Sequence, residues 1–228
     1  MNALGDRAWP EVALLVAENK VLTIALGATE QHGPHLPLST DTDIANALVE
    51  ALAARCEQVV VGPAMSYGAS GEHADFAGTL SIGQEAIELV LVELCRSAAA
   101  SFERVLLVCA HGGNAEPLSR AVATLRSEGR DVRAWAPRWH GDAHAGRVET
   151  SIMLAIAPTH VRMEKAQRGA TTPIAELLPQ LRAGGVRAVS ENGVLGDPVG
   201  ATAEEGRDLL EIAGLELDEL LATWVPLV

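Results

Sequence analysis

The chain has 228 residues and a formal net charge of −13, from 17 basic and 30 acidic side chains. This excess of acid argues against nucleic acid and against an anionic membrane surface as partners. The length fits a single domain over residues 1–228, large enough to bury roughly 70% of its unfolded surface. Hydrophobic residues make up 48% of the chain but aromatic residues only 3%, so the core must consist of Ala, Val, Leu and Ile.

The cysteines and the lack of a targeting signal indicate a reducing compartment, the cytoplasm. The three cysteines, Cys56, Cys95 and Cys109, are odd in number and lie in apolar patterns, so we expect free thiols. No basic segment followed by an apolar core opens the chain, and no apolar run reaches the roughly 18 residues of a membrane span. We therefore predict a cytoplasmic protein with no membrane partner.

Hydrophobic periodicity predicts an alternation of strands and helices, which is the pattern of an α/β protein. Predicted strands cover residues 21–26, 58–62, 104–109 and 131–135. Predicted helices cover residues 43–55, 84–100, 115–128, 148–156, 174–182 and 202–223. The strand over 104–109 is apolar on both faces, as in a central parallel strand, and the last helix begins with a capping box at Thr202.

The segment after the first strand, LGATEQHGPHLPLSTDTD, is unusually rich in groups that bind metals or move protons. Its glycines and prolines prevent a helix through residue 38, so Glu30 and His32 lie on extended backbone and point to one side. Asp41 stands at the predicted start of the next helix. Such oxygen and nitrogen ligands suit Zn, Mn or Fe. The alternative is that the histidines are ordinary loop residues and that Asp41 only caps the helix.

Polar residues also follow the other predicted strands, at the edge of an α/β sheet where ligands collect. A long glycine-rich loop over residues 63–80 carries Tyr67, Ser70, Glu72, His73 and Asp75. His111 comes directly after the central strand and is followed by two glycines, which let the backbone approach a ligand closely. His144 and Glu149 lie on either side of Gly146, so both can face one cavity while His140 stays outside it.

These residues together predict a dinuclear centre for amide hydrolysis. Two divalent ions need one bridging carboxylate, for which Asp41 is suited, and would activate water and polarise a carbonyl group. The predicted ligands are Glu30, His32, Asp41, His111 and Glu149. A general acid must still protonate the leaving nitrogen. We predict His144 for this role, with His73 beside Glu72 as the rival; that His144 is a third ligand or a plain loop residue stays open.

The motifs resemble those of the creatininase family of metal-dependent amidohydrolases. The matching residues are Glu30-Gln31-His32-Gly33 with Asp41, Glu72-His73, Gly78-Thr79, His111-Gly112-Gly113-Asn114, and His144-Ala145-Gly146 with Glu149-Thr150-Ser151. The resemblance implies a three-layer α/β/α sandwich with a mostly parallel sheet, usually in homo-oligomers. It also implies two ions, Zn with Fe or Mn, of which Glu30 and His111 hold one, His32 the other, and Asp41 both.

The chain departs from the pattern of the family at Gly113 and at Arg147. Gly113 stands where creatininase has a glutamate ligand, and we predict that Glu149 replaces it. Arg147 stands where many members have glutamate. The run SGEHADFAGT, Arg147 and the tail NGVLGDPVGA resemble the branch found with mycofactocin biosynthesis, whose members release a modified C-terminal Val-Tyr dipeptide from a precursor peptide. The resemblance therefore implies a peptidase whose substrate is the modified precursor peptide.

Two other functions stay open at this point: a creatininase-type hydrolase of a small cyclic amide such as creatinine, and a metal- or ligand-binding protein without turnover. The predicted substrate-binding residues are Tyr67, Asn114 and Arg147. An arginine can bind a peptide C-terminal carboxylate with two hydrogen bonds, although Arg147 can equally be a surface charge.

Overall fold

A computed structural model describes residues 3–225 of the protein. Its centre is a sheet of four parallel strands in the order β2-β1-β3-β4. The strands are β1 Val21–Leu26, β2 Val59–Val61, β3 Arg104–Cys109 and β4 Asp131–Trp135. The two central strands are aligned end to end, with Val21 opposite Arg104 and Leu26 opposite Cys109. The loops after β1 and β3 therefore leave the sheet side by side.

Helices cover both faces of this sheet. They are α1 Trp9–Ala17, α2 Thr40–Arg55, α3 Gln84–Ala98, α4 Ala115–Ser127, α5 Arg147–Ile156, α6 Ile174–Gly184 and α7 Ala203–Trp224. One apolar core joins strand residues such as Ala25 to α2, α5 and α7. The other joins residues such as Ile24 to α1, α3 and α4. Because successive side chains of a strand point to opposite faces, these two cores confirm the predicted three-layer α/β/α sandwich.

The bounds of β1, β3 and β4 coincide with the predicted ones, and Oγ1 of Thr202 accepts a hydrogen bond from the Glu205 N–H as the capping box predicts. Helix α1 was not predicted, because only Leu15 of its residues is buried and the apolar pattern is weak. Helix α2 begins three residues earlier than predicted. Its N-cap is Ser39, so the alternative that Asp41 merely caps the helix is wrong.

The cysteines match the expectation of free thiols. Cys95 and Cys109 are buried, Cys56 is half-buried, and none of the three forms a disulfide. Within residues 3–225, every helix is too short or too polar to cross a bilayer.

Candidate metal centre

The candidate ligands meet at the edge of the sheet where β1 and β3 end. Close packing of the loop after β1 against α2 brings Glu30 next to Asp41. This packing requires a glycine, since a Cβ atom at Gly27 would lie 2.4 Å from the Cα of Thr42. His111 follows β3 directly. The result is a cluster of buried polar side chains in a place that a folded protein normally fills with apolar ones.

Two histidines of this cluster have one ring nitrogen bound to the backbone and the other turned toward Asp41. Nδ1 of His32 lies 3.1 Å from the carbonyl oxygen of Glu30, and its Nε2 lies 3.1 Å from Oδ1 of Asp41. Nε2 of His111 lies 2.9 Å from the carbonyl oxygen of Ala69, and its Nδ1 lies 3.0 Å from Oδ2 of Asp41. Since a carbonyl oxygen only accepts, each backbone contact holds a proton on one ring nitrogen, and the nitrogen that faces Asp41 is the one that would ligate a metal ion after losing its own proton. Without an ion, burial opposes the charged rings, but the Asp41 carboxylate outweighs burial and raises the pKa of His32 to about 10 and that of His111 to about 9.

Glu149 completes the cluster from the first turn of α5. Its Oε2 lies 3.8 Å from Nε2 of His32 and accepts a hydrogen bond from the Ala145 N–H. Three sets of side chains hold their ligand atoms within 4.8 Å of one another: Glu30, Asp41 and His111; His32, His144 and Glu149; and Glu30, His73 and His144. All five predicted ligands occur in the first two sets. Asp41 contacts a histidine from each set, which is the position expected of a bridging carboxylate.

Burial disfavours the charged form of the carboxylates in the cluster, and a bound cation would compensate that charge. Burial raises the pKa of Glu30 to about 8, and the neighbouring Asp41 carboxylate adds to the shift. Burial also raises the pKa of Glu149. For Asp41 burial acts in the same direction, but His32 and His111 outweigh it and hold the pKa of that carboxyl well below its usual range.

Two carboxylate oxygens provide a direct test of whether these residues fit metal ions. Oε2 of Glu30 and Oδ2 of Asp41 are buried and make no well-formed hydrogen bond among the described residues, although Nε2 of His111 lies 3.4 Å from the first and Nδ1 of His111 lies 3.0 Å from the second. A buried carboxylate oxygen without such a hydrogen bond costs stability unless a cation compensates it. The donor set of carboxylates and imidazoles, with no thiolate, fits Zn, Mn or Fe.

His73 and His144 lie beside the cluster and face the same carboxylate. Nε2 of His73 is 3.4 Å and Nδ1 of His144 is 3.7 Å from Oε1 of Glu30. Burial lowers the pKa of His73 to about 3, assisted by the charges of His32 and His111. Burial likewise lowers the pKa of His144, with His32 and His73 contributing. Burial therefore favours the neutral form of both rings.

The cluster opens into a cavity of about 830 Å³. Glu72 and Asp75 line one side of it. Helix α6 lines another with Ile174, Leu178, Leu181 and Arg182, residues that share one helical face. Arg182 is the one lysine or arginine among the described residues that line the cavity. The apolar wall from α6 has no counterpart in the sequence-based prediction, because its residues carry no chemistry of their own.

None of the three predicted substrate-binding residues lines this cavity. Asn114 is fully buried and joins two loops: its Oδ1 accepts from the Ala69 N–H at 2.9 Å, and its Nδ2 donates to the Gly27 carbonyl at 3.0 Å. Tyr67 is half exposed outside the cavity. Arg147 points its guanidinium at Glu205, 2.8 Å away, which supports the alternative of a surface charge.

Other polar residues of the candidate segments also lie apart from the cluster. Asp43 accepts a hydrogen bond from the Ser39 hydroxyl at 2.7 Å, at the start of α2. His35 is buried with its Nε2 2.9 Å from the Thr150 hydroxyl. His140 is exposed, consistent with the expectation that it stays outside.

Comparison with known proteins gives the family. The protein-family model for creatininase, described as creatinine amidohydrolase, matches residues 5–221. The chain belongs to the creatininase family. A mycofactocin precursor peptide peptidase of Mycobacterium tuberculosis is 49% identical over 98% of this chain and 93% of its own length. A creatinine amidohydrolase of Pseudomonas putida is 26% identical over 92% of each chain.

Solved structures of creatininases have the same fold. A mutant creatininase superposes with a TM-score of 0.85 at 25% identity, covering 99% of this chain and 100% of the other. Creatininases described as a Mn form and as a mutant of Zn–Zn type superpose with TM-scores of 0.84 and 0.81, each at 24% identity and covering at least 98% of both chains. The fold and the family predicted from the motifs are thereby confirmed.

Steric crowding explains why residue 113 is a glycine in this chain. A Cβ atom there would lie 2.1 Å from the carbonyl oxygen of Ala69 and 2.6 Å from Nε2 of His111. A glutamate at this position would force the loop after β2 away from the loop after β3. The geometry thus favours a ligand from elsewhere, and Glu149 already lies against His32.

Proposed function

We propose that the protein is a metal-dependent peptidase that hydrolyses a modified precursor peptide and releases its C-terminal Val-Tyr dipeptide. The observation that carries this proposal is the buried cluster around Asp41 at the base of a cavity of about 830 Å³. The relative at 49% identity, named for peptidase action on the mycofactocin precursor peptide, supports the substrate class.

In this proposal Glu30 and His111 would hold one divalent ion, His32 and Glu149 would hold the other, and Asp41 would contribute a ligand to each. Oε2 of Glu30 and Oδ2 of Asp41, buried beside His111 without a well-formed hydrogen bond, support this assignment. Bound ions would lower the pKa of a water molecule and polarise the scissile carbonyl group. We propose Zn with Fe or Mn, and the Mn and Zn–Zn forms of the related creatininases support that class of metal.

His144 supplies the proton transfers. Its neutral ring faces Glu30 with Nδ1, which accepts a proton as the oxygen of water bonds to the scissile carbon. When the C–N bond breaks, the imidazolium returns that proton to the leaving nitrogen. One amide and one water thus yield one carboxylic acid and one amine. His73 is less suited, because its Nδ1 is already bound by Gln31 at 2.8 Å.

The cavity favours a peptide over a small lactam. Its volume of about 830 Å³ falls within the range of sites that enclose drug-sized molecules, so a ligand the size of creatinine would leave most of it unfilled. Ile174 and Leu178 of α6 are 42% and 41% exposed there and offer apolar surface to a bulky side chain. Creatinine hydrolysis is therefore not favoured.

We also infer a homo-oligomer that functions in the cytoplasm. Trp9 and Leu14 of α1 are 82% and 69% exposed, and apolar side chains this accessible are typical of surfaces that pair with another subunit. The free thiols Cys95 and Cys109 support a reducing compartment.

The deciding experiment incubates protein purified without chelator with the modified precursor peptide and, separately, with creatinine. We expect release of the dipeptide, no loss of creatinine, and about two transition-metal ions per chain. Asp41→Ala should abolish cleavage, and Asp43→Ala, which lies outside the cluster, should retain it. Bound metal without cleavage of either substrate would instead support a binding protein without turnover.

A further inference from the structure

We propose that Gln31 is a positioning residue that sets the tautomers of His73 and His144, and thereby selects His144 as the proton acceptor. This inference rests on the proposed function and extends it to a residue that is itself neither a proposed metal ligand nor a proposed proton acceptor. Gln31 is 5% exposed and lies in the loop after β1, between Glu30 and His32.

The orientation of the Gln31 amide is fixed by two backbone groups. Its Oε1 accepts a hydrogen bond from the Gly33 N–H at 2.8 Å, and its Nε2 donates to the Gly193 carbonyl at 3.0 Å. A flipped amide would place two donors together at Gly33 and two acceptors together at Gly193. The Nε2 group therefore faces the histidines, and its second hydrogen is available to one of them.

His73 receives that second hydrogen. Its Nδ1 lies 2.8 Å from Nε2 of Gln31. Because the amide nitrogen only donates, Nδ1 of His73 must be the unprotonated nitrogen, and the ring carries its proton on Nε2. The protonated Nε2 lies 3.4 Å from Oε1 of Glu30. His73 thus stands beside a proposed metal-binding carboxylate and has no free basic nitrogen.

His144 is held in the same tautomer with the opposite consequence. Its Nε2 lies 2.8 Å from the main-chain carbonyl oxygen of Gln31 and 3.0 Å from the side-chain Nε2 of Gln31. Since both amide hydrogens are already used, the shorter contact decides, and Nε2–H donates to the carbonyl. The unprotonated Nδ1 then faces Glu30 and the cavity. Gln31 thereby leaves an unprotonated nitrogen of His144 free to accept a proton and occupies the corresponding nitrogen of His73.

Substitution of Gln31 by glutamate tests this directly, because glutamate keeps the shape and the acceptor for Gly33 but has no amide hydrogens. We expect long-range ¹H–¹⁵N spectra of the zinc-loaded wild type to show His73 and His144 both protonated on Nε2. In Gln31→Glu, His73 should change to the Nδ1-protonated form. The control Gln167→Glu changes an exposed glutamine and should leave the signals of His73 and His144 unchanged.

Kinetics on the modified peptide supply the second measurement. Gln31→Glu should lower kcat roughly 10–100-fold, as loss of a residue that orients ligands does, with KM little changed and zinc content retained. Gln31→Leu, which removes every side-chain hydrogen bond, should behave alike; if it does not fold, Gln31→Glu alone decides. A wild-type His144 protonated on Nδ1, or unchanged His73 signals and kcat in Gln31→Glu, would overturn the inference. Absence of cleavage by wild type would instead refute the proposed function, and the spectra would still decide the role of Gln31.

Discussion

Nε2 of His32 and Oε2 of Glu149 lie 3.8 Å apart, although one follows β1 and the other begins α5. This proximity is the structural basis for assigning Glu149 to the second ion. Glu149→Gln removes one charged ligand and should lower the metal content from about two ions per chain to about one. Elemental analysis after gel filtration measures this, with the exposed Glu164→Gln as the matched control. Two ions retained in Glu149→Gln would exclude Glu149 as a ligand.

The glycine pair after His111 should differ sharply in tolerance to a side chain. Gly113→Ala places Cβ 2.1 Å from the Ala69 carbonyl oxygen, whereas a Cβ at Gly112 has nothing within 4 Å. We expect Gly113→Ala to lower the free energy of unfolding by about 1–3 kcal/mol, the range for overpacking. Gly112→Ala should change it little. Denaturant titration of both variants measures this, and equal stabilities would show that the two loops separate at no cost.

Replacing each of the two neutral histidines should separate their roles. His144→Ala should keep the metal content and lower kcat roughly 10²–10⁴-fold, as loss of a general acid and base does. His73→Ala removes only the support of Glu30, so its kcat should fall less. Metal analysis and steady-state kinetics on the modified peptide check both variants. Loss of metal in His144→Ala would reassign that histidine as a ligand.

The apolar wall of α6 should contribute to substrate binding. Leu178→Asp places a charge on the exposed cavity face and should raise KM for the modified peptide roughly tenfold, the equivalent of one apolar side chain's burial. Leu89→Asp makes the same change on α3, outside the cavity, and should leave KM unchanged. If both variants keep the wild-type KM, the peptide does not contact α6.

Arg147 should matter for stability rather than for substrate. Its guanidinium pairs with Glu205 at the surface, where such pairs contribute about 0.2–1 kcal/mol. Arg147→Ala should therefore lower the free energy of unfolding by no more than this and leave KM for the peptide unchanged. Thermal denaturation and peptide kinetics test the two parts. A large rise in KM would restore the predicted contact with the substrate.

The sequence by itself determined the sheet and the edge on which the centre lies. The bounds of β1, β3 and β4 follow from runs of apolar residues, and parallel central strands end at a common edge. Glu30 and His111 lie within four residues of the ends of β1 and β3, so their meeting was predictable. These features depend on local patterns of the chain, which a single sequence displays.

Only the tertiary structure decided which side chains contact one another across the chain. Gln31 reaches the Gly193 carbonyl, a contact between residues 162 positions apart, and that bond fixes its amide beside His73. Arg147, close to His144 in sequence, turns instead to Glu205 on α7. The direction of a side chain depends on packing between distant elements, and neither residue type nor spacing encodes it. The sequence therefore predicts the ligands, while the packed fold determines the tautomers and the cavity walls.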